Sequence, residues 1–142
     1  MIVNETQVRV RYGETDQMGY VYYGKYAEYF EVGRVEVIRS LGISYKSIEE
    51  RGVLMPVAEL QVQYRRPARY DDLLTIRTTI PELPRSSFLT QYEIHNEAGE
   101  LLVTGQVRLA FVDKVRQRPI RVPDFVLEAV AQHWPGSGQT GI

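Results

Sequence analysis

The sequence predicts a two-layer α+β domain in which a mostly antiparallel sheet packs one face against one long helix. Three observations carry this. Thr6 to Tyr12 alternate with a strand's period of two, Tyr26 to Leu41 switch to helical spacing, and further alternating runs then follow with only short turns between them. Parallel pairs need crossovers of about a dozen residues or more, so strands joined this closely must pair antiparallel.

In the first run Val8, Val10 and Tyr12 share one side and Gln7, Arg9 and Arg11 the other. Gly13-Glu14-Thr15-Asp16-Gln17-Met18-Gly19 is small, polar and bracketed by glycines, which reads as a loop. Tyr26, Ala27, Phe30, Arg34, Val37, Ile38 and Leu41 then trace one helical face. That helix is expected to run about eighteen residues, about 27 Å at the usual rise. Gly42, with Ile43 behind it, is a left-handed helix stop. Ser44 to Arg51, with Ser47 three residues before Glu50, adds a turn or two of helix before Gly52.

Strands follow. Ala58 to Tyr64 alternates and is closed by Pro67, Leu74 to Ile80 ends at Pro81, and Phe88 to His95 leads into the turn Asn96-Glu97-Ala98-Gly99. Leu101 to Phe111 is the longest run, with Gly105 a candidate bulge. Val115 to Arg121 is expected to pair back on it, and Asp124 to Trp134 to form a small amphipathic helix. Residues 1–134 are thus read as one domain and 135–142 as a frayed tail. An open sheet leaves edges, so a homo-oligomer that continues the sheet is expected.

At 142 residues, with 44% hydrophobic and 25% charged residues, the chain has the length and composition of an ordinary globular domain. Its net charge of -1 argues against a nucleic-acid binder acting through a bulk positive field. The absence of cysteine removes disulfides, thiolate nucleophiles and thiolate metal sites. Neither a basic-then-apolar start nor a membrane-length apolar run is present, so a cytoplasmic protein without membrane contact is expected. G-x-S-x-G, H-E-x-x-H and phosphate-cradling glycine motifs are all missing. His95 and His133 are isolated and read as solvated or hydrogen-bonded residues. No metal and no cofactor is expected.

What remains is Asp16, just ahead of a helix that begins near Tyr23 and Gly24. One reading makes Thr15 and Asp16 turn-formers, bonding to nearby backbone. The other uses the unpaired backbone N–H groups of Tyr23 and Gly24 at the helix start to hold a polarised carbonyl or oxyanion. One such donor is typically worth about 3 to 4 kcal/mol in the transition state. A carboxylate opposite it permits ester or thioester hydrolysis without serine, cysteine or metal.

The segment YGETDQMGYVYYGKYAEYFEVGR, from Tyr12 to Arg34, and YRRPARYDDLL, from Tyr64 to Leu74, resemble the hot-dog fold acyl-CoA thioesterases of the 4-hydroxybenzoyl-CoA thioesterase type, including the YbgC-like branch. The resemblance runs from about Val8 to Val122. It implies a curved antiparallel sheet wrapped around one long central helix, dimers with a continuous sheet, and frequent pairing of dimers into tetramers. It also implies that Asp16 is the catalytic carboxylate, as nucleophile or as base for water, and that the Tyr23 backbone N–H polarises the thioester carbonyl. Tyr23, Gly24 and Lys25 stand where many YbgC-like members carry histidine, a small residue and asparagine.

Coenzyme A carries phosphates, and Arg85-Ser86-Ser87 resembles the basic turn that meets the nucleotide end in that family. A solvated hairpin turn is the alternative for these residues. Arg65, in the charge-dense stretch Tyr64 to Arg69, is a further candidate for phosphate, beside the reading of an ordinary strand end. The expected function is therefore acyl-CoA hydrolysis to a free acid and coenzyme A. The rivals are a carrier-protein thioesterase and a non-catalytic acyl-CoA binding module.

Overall fold

The computed structural model describes residues 1–136; the last six positions of the expected tail lie outside the described residues. The strands are β1 (Ile2–Arg9), β2 (Val53–Leu54), β3 (Val57–Tyr64), β4 (Leu73–Ile80), β5 (Ser87–His95), β6 (Leu101–Asp113) and β7 (Arg118–Ile120). The helices are α1 (Lys25–Ser40), α2 (Tyr45–Glu50) and α3 (Asp124–Gln132), with a 3₁₀ turn at Tyr12–Glu14.

Every pairing in the seven-stranded sheet is antiparallel, in the order β1-β4-β5-β6, with β3 and β2 following one another along one edge of β6 and β7 on its other side. The first strand lies earlier than its alternation suggests. Its register begins with Ile2 opposite Ile80 and ends with Arg9 opposite Leu73. Beyond it, Val10 is buried while Tyr12 turns out with 78% of its surface exposed. The two-residue β2 is too short to show a period. Gly42 has φ +84°, the left-handed stop the sequence predicts. The cap of α2 differs from expectation: Ser44 and Ser47 exchange hydrogen bonds, and Glu50 takes no part in the cap.

α1 spans 16 residues and buries Tyr26, Tyr29, Phe30, Gly33, Arg34, Val37 and Ile38. It lies against β1, β4 and β5, and two glycines set how closely. A Cβ on Gly33 would come within 2.8 Å of Ile76 and also strike the Thr78 hydroxyl, which is buried and accepts no partner among the described residues. A Cβ on Gly105 would stand 2.5 Å from the Phe30 ring. Gly105 is therefore no bulge. It sits in regular register between Tyr92 and Val62, and the Phe30 ring lies over it, stacked on Tyr92 at 4.3 Å between centroids. The register shifts of β6 fall elsewhere, at Val57/Glu59 and at Ile94/His95.

One charge is buried on this face. Arg34, 7% exposed, donates through Nε to the Tyr45 hydroxyl at 2.8 Å and through Nη1 to the Tyr92 hydroxyl at 3.3 Å. Burial pushes the Tyr45 phenol up to about 12, against the opposing pull of Arg34. Burial also raises Tyr92.

β3 stands apart. Seven of its eight residues are exposed, among them the apolar Val57, Leu60 and Tyr64, and among the described residues it pairs only with β6.

Gly105→Ala must displace the Phe30 ring, an overpacking cost of about 1 to 3 kcal/mol; thermal melts should show a lower Tm, and an unchanged Tm would contradict the close approach. The phenols predict a second trend. A tyrosine whose folded pKa lies above its unfolded value of 10.0 stabilises the fold below that value and loses the contribution as pH rises toward 12. Denaturant midpoints measured from pH 9 to 12 should fall, and more gently in Tyr92→Phe.

Candidate active site

Asp16 sits at the tip of a small hairpin whose strands are single bridges. Thr15 pairs with Val21, and the Tyr22 N–H donates to the Glu14 carbonyl at 2.8 Å. Across the tip, the Asp16 N–H donates to the Tyr20 carbonyl at 2.7 Å and the Gly19 N–H to the Asp16 carbonyl at 3.0 Å. Gly19 holds φ +80°, which this tight return requires. Asp16 Oδ1 accepts from the N–H groups of Met18 at 2.9 Å and Tyr20 at 3.2 Å. The turn-forming reading of Asp16 thus holds for Oδ1, while Oδ2 accepts no hydrogen bond among the described residues. The carboxylate lines an open cleft of about 760 Å³ with Tyr12, Gly13, Thr15, Gln17, Gly19 and Tyr70.

Two contacts lock this hairpin to the body of the protein. Tyr20 bridges Arg69, whose guanidinium lies 5.4 Å over the Tyr20 ring, and the Val21 N–H donates to the Ala68 carbonyl. Glu14 is the second anchor. Its carboxylate, 12% exposed, accepts from the Tyr29 hydroxyl of α1 at 3.0 Å and from the Arg11 N–H at 2.8 Å. Burial, together with the Glu14 charge, holds the Tyr29 phenol well above its ordinary range. Glu14 and Tyr29 went unnoticed in the sequence because the contact joins a loop residue to a helix residue fifteen positions away. Glu14 could have been singled out as a charge within the loop; Tyr29 reads as core.

The start of α1 follows directly. Gly24 is the N-cap and already helical, with φ -69° and ψ -16°. The N–H groups of Tyr23 and Gly24 donate no hydrogen bond among the described residues, as the first amides of a helix do. The Tyr23 carbonyl accepts from the Tyr64 hydroxyl at 3.1 Å, tying the helix start to the end of β3. Tyr23 itself is 64% exposed, and neither it nor Gly24 lines the Asp16 cleft.

The phosphate candidates divide between the two ends of the sheet. Arg65 lies at the Tyr64 end of β3, where its N–H donates to the Leu102 carbonyl, on the same side as Asp16 and Tyr23. Arg85, Ser86 and Ser87 lie at the opposite end, where Ser87 pairs with Ala110. The length of β5, about 26 Å at ~3.3 Å per residue, separates the two groups within one chain. The Arg85 turn forms one wall of a groove of about 540 Å³ that also holds Arg108 and Trp134, neither of which the sequence reading singled out. His95 lies on β5, and the His133 ring bonds the Ala129 carbonyl at 2.9 Å. Among the described residues no group of three or more His, Asp or Glu side chains could hold a metal ion, and no helix is long and apolar enough to cross a membrane.

Asp16→Asn keeps an acceptor at Oδ1 whereas Asp16→Ala removes it. The alanine variant should therefore lose about 1 kcal/mol in urea denaturation and the asparagine variant little; equal losses would mean the two amide bonds do not hold the loop.

The chain has clear relatives. A family model described as the thioesterase-like superfamily matches residues 10–130. YneP of Bacillus subtilis is 37% identical over 121 residues, covering 85% of this chain and 88% of its own. The acyl-CoA thioester hydrolase YbgC of Escherichia coli is 31% identical over 125 residues, covering 88% and 93%. Among solved structures, the DHNA-CoA thioesterase of Staphylococcus aureus superposes with a TM-score of 0.82 at 34% identity, covering 99% of this chain and 89% of that one. The antiparallel sheet backed by α1 is accordingly the hot-dog architecture, and the chain belongs to the thioesterase-like superfamily, within its YbgC-like family.

Proposed function

We propose that this protein is an acyl-CoA thioesterase that releases a free carboxylic acid and coenzyme A. The observation that carries the reading is the Asp16 carboxylate, fixed through one oxygen and open at the other, on a hairpin whose far strand runs straight into the unpaired amides at the start of α1. Kinship with YbgC, an acyl-CoA thioester hydrolase, supports the same chemistry.

In this mechanism the thioester carbonyl accepts from the Tyr23 N–H, with Gly24 leaving the approach open. Asp16 takes a proton from water as the water oxygen attacks the carbonyl carbon. The tetrahedral oxyanion is held by the amide and the helix dipole, and its collapse expels the thiolate, which recovers the proton. Alternatively Asp16 attacks directly and forms an anhydride that water then opens. A single turnover in ¹⁸O-water separates the routes: label in the Asp16 carboxylate marks direct attack.

The split between the ends of the sheet supports a homo-oligomer. β3 has a free edge with exposed Val57, Leu60 and Tyr64. If two β3 edges pair antiparallel about a twofold axis, the Tyr64 end of one copy meets the Val57 end of the other. Arg85, Ser86 and Ser87 of the partner subunit then approach the Asp16 and Tyr23 end, where Arg65 also lies, and one substrate can span both groups.

Asp16→Asn should lower thiol release from acyl-CoA by about 10² to 10⁴-fold with the fold intact. Full activity in that variant would remove Asp16 from the mechanism, whereas a protein that binds acyl-CoA without Asp16-dependent thiol release would be an acyl-CoA binding module. Leu60→Glu should give a monomer in sedimentation and lose activity with it. Arg85→Ala should raise KM for acyl-CoA about tenfold, the effect of one charge-assisted hydrogen bond. An unchanged KM would favour a carrier-protein thioester as substrate.

A further inference from the structure

We propose that Glu14 and Tyr29 are positioning residues for thioester hydrolysis: the hydrogen bond between them sets where the Asp16 carboxylate stands relative to the amides at the start of α1. The proposal rests on the thioesterase reading above and adds two residues to that site.

Glu14 is bonded in both directions. Its side chain holds α1, where Oε1 accepts from the Tyr29 hydroxyl at 3.0 Å. Its backbone holds the chain that enters α1, since the Glu14 carbonyl accepts from the Tyr22 N–H at 2.8 Å. The Tyr22 carbonyl in turn accepts from the Lys25 N–H at 2.9 Å, and Lys25 opens the helix that carries Tyr29. These bonds close a ring from Glu14 through Tyr22 and α1 back to Glu14. Tyr23 and Gly24 lie inside that ring, between Tyr22 and Lys25, and Asp16 lies just beyond Glu14. The spacing between carboxylate and amides is therefore passed through Glu14, and the bond to Tyr29 is the one link in the ring made by side chains.

That link is well shielded. The Glu14 side chain is 12% exposed and Tyr29 3%, so water competes weakly for either partner. The same carboxylate oxygen accepts from the Arg11 N–H at 2.8 Å, which fixes it at the head of the 3₁₀ turn. Hydrogen bonds to an ionised acceptor are the stronger kind. Burial, and then the bond to Glu14, raises the Tyr29 phenol, so the hydroxyl keeps its proton and stays the donor. Neither side chain lines the Asp16 cleft. Glu14 and Tyr29 line a separate groove of about 610 Å³ with Arg9, Arg11 and Lys25, and among the described residues Gly13 alone borders both. The Glu14 carboxylate thus stands behind the loop, where it orients Asp16 and does not meet the thioester.

Tyr29→Phe removes the hydroxyl and keeps the ring that packs edge-on against Tyr26 at 5.8 Å. In this variant kcat for an acyl-CoA should fall about tenfold to a hundredfold, the scale of a small misplacement of reacting groups, with KM within about twofold. Glu14→Ala should match it, and the double variant should lose little more than Glu14→Ala alone, because both changes remove the same bond. Glu14→Gln keeps an acceptor for both donors and should retain kcat within about threefold. Melting curves confirm the fold of each variant. Hydrogen exchange reads the same bond without any substrate: in Tyr29→Phe the Met18 and Tyr20 amides held by Asp16 Oδ1 should exchange about tenfold faster, with the β5 amides unchanged. An unmoved kcat in folded Tyr29→Phe and Glu14→Ala, or an unmoved exchange rate, overturns the proposal. So does a Glu14→Gln enzyme as inactive as Asp16→Asn, which would make Glu14 an acid or base in its own right. Faster exchange in a protein that hydrolyses no thioester would sink the thioesterase reading and leave the coupling of the hairpin to α1 standing.

Discussion

Two absent side chains let α1 lie directly on the sheet. At Gly33 the helix touches Ile76 and Thr78, and at Gly105 the sheet receives the Phe30 ring. Everything at the helix start inherits that position. With α1 held at this height, Tyr29 reaches Glu14 and the Tyr23 carbonyl reaches Tyr64. A helix lifted by even one methyl group would carry the first amides away from the hairpin they adjoin. Core packing is thus the source of the geometry on which the proposed chemistry relies.

Arg34 shows the same economy in polar form. Among the described residues its charge is buried with two phenol hydroxyls and no carboxylate as direct partners, an arrangement that joins α1, α2 and β5 in one cluster. Tyr92 extends the chain through Thr90 to the Val107 carbonyl of β6. Phenols serve here because they accept the guanidinium's hydrogen bonds and still bury their rings.

Much of the fold was legible because it is local. Alternation marked the long strands, short turns forced them antiparallel, and Gly42 stopped α1 where a left-handed residue was needed. What escaped depends on partners distant in the chain. β1 begins at Ile2 because Ile80 waits opposite, and Gly105 is small because of Phe30, neither of which a window of neighbouring residues contains. Of the site, Asp16 stood out as an acid in a glycine-bracketed loop. Its bond to two amides and the placement of Arg65 and Arg85 at opposite ends needed the register of β3, β5 and β6. Arg108 hid as one more polar residue on a long strand, and Trp134 as the last apolar position of a short helix.

The free ledge of β3 has a cost before it has a use. Its sequence, VAELQVQY, offers an unpaired row of backbone groups with a single acidic residue and neither lysine nor proline to discourage strangers. A newly made copy is open to adhesion by any extended polypeptide until that ledge is occupied. If that ledge is closed by a second copy, as proposed, low expression sets a race between finding its own kind and joining an aggregate, and the winner depends on how many siblings are nearby.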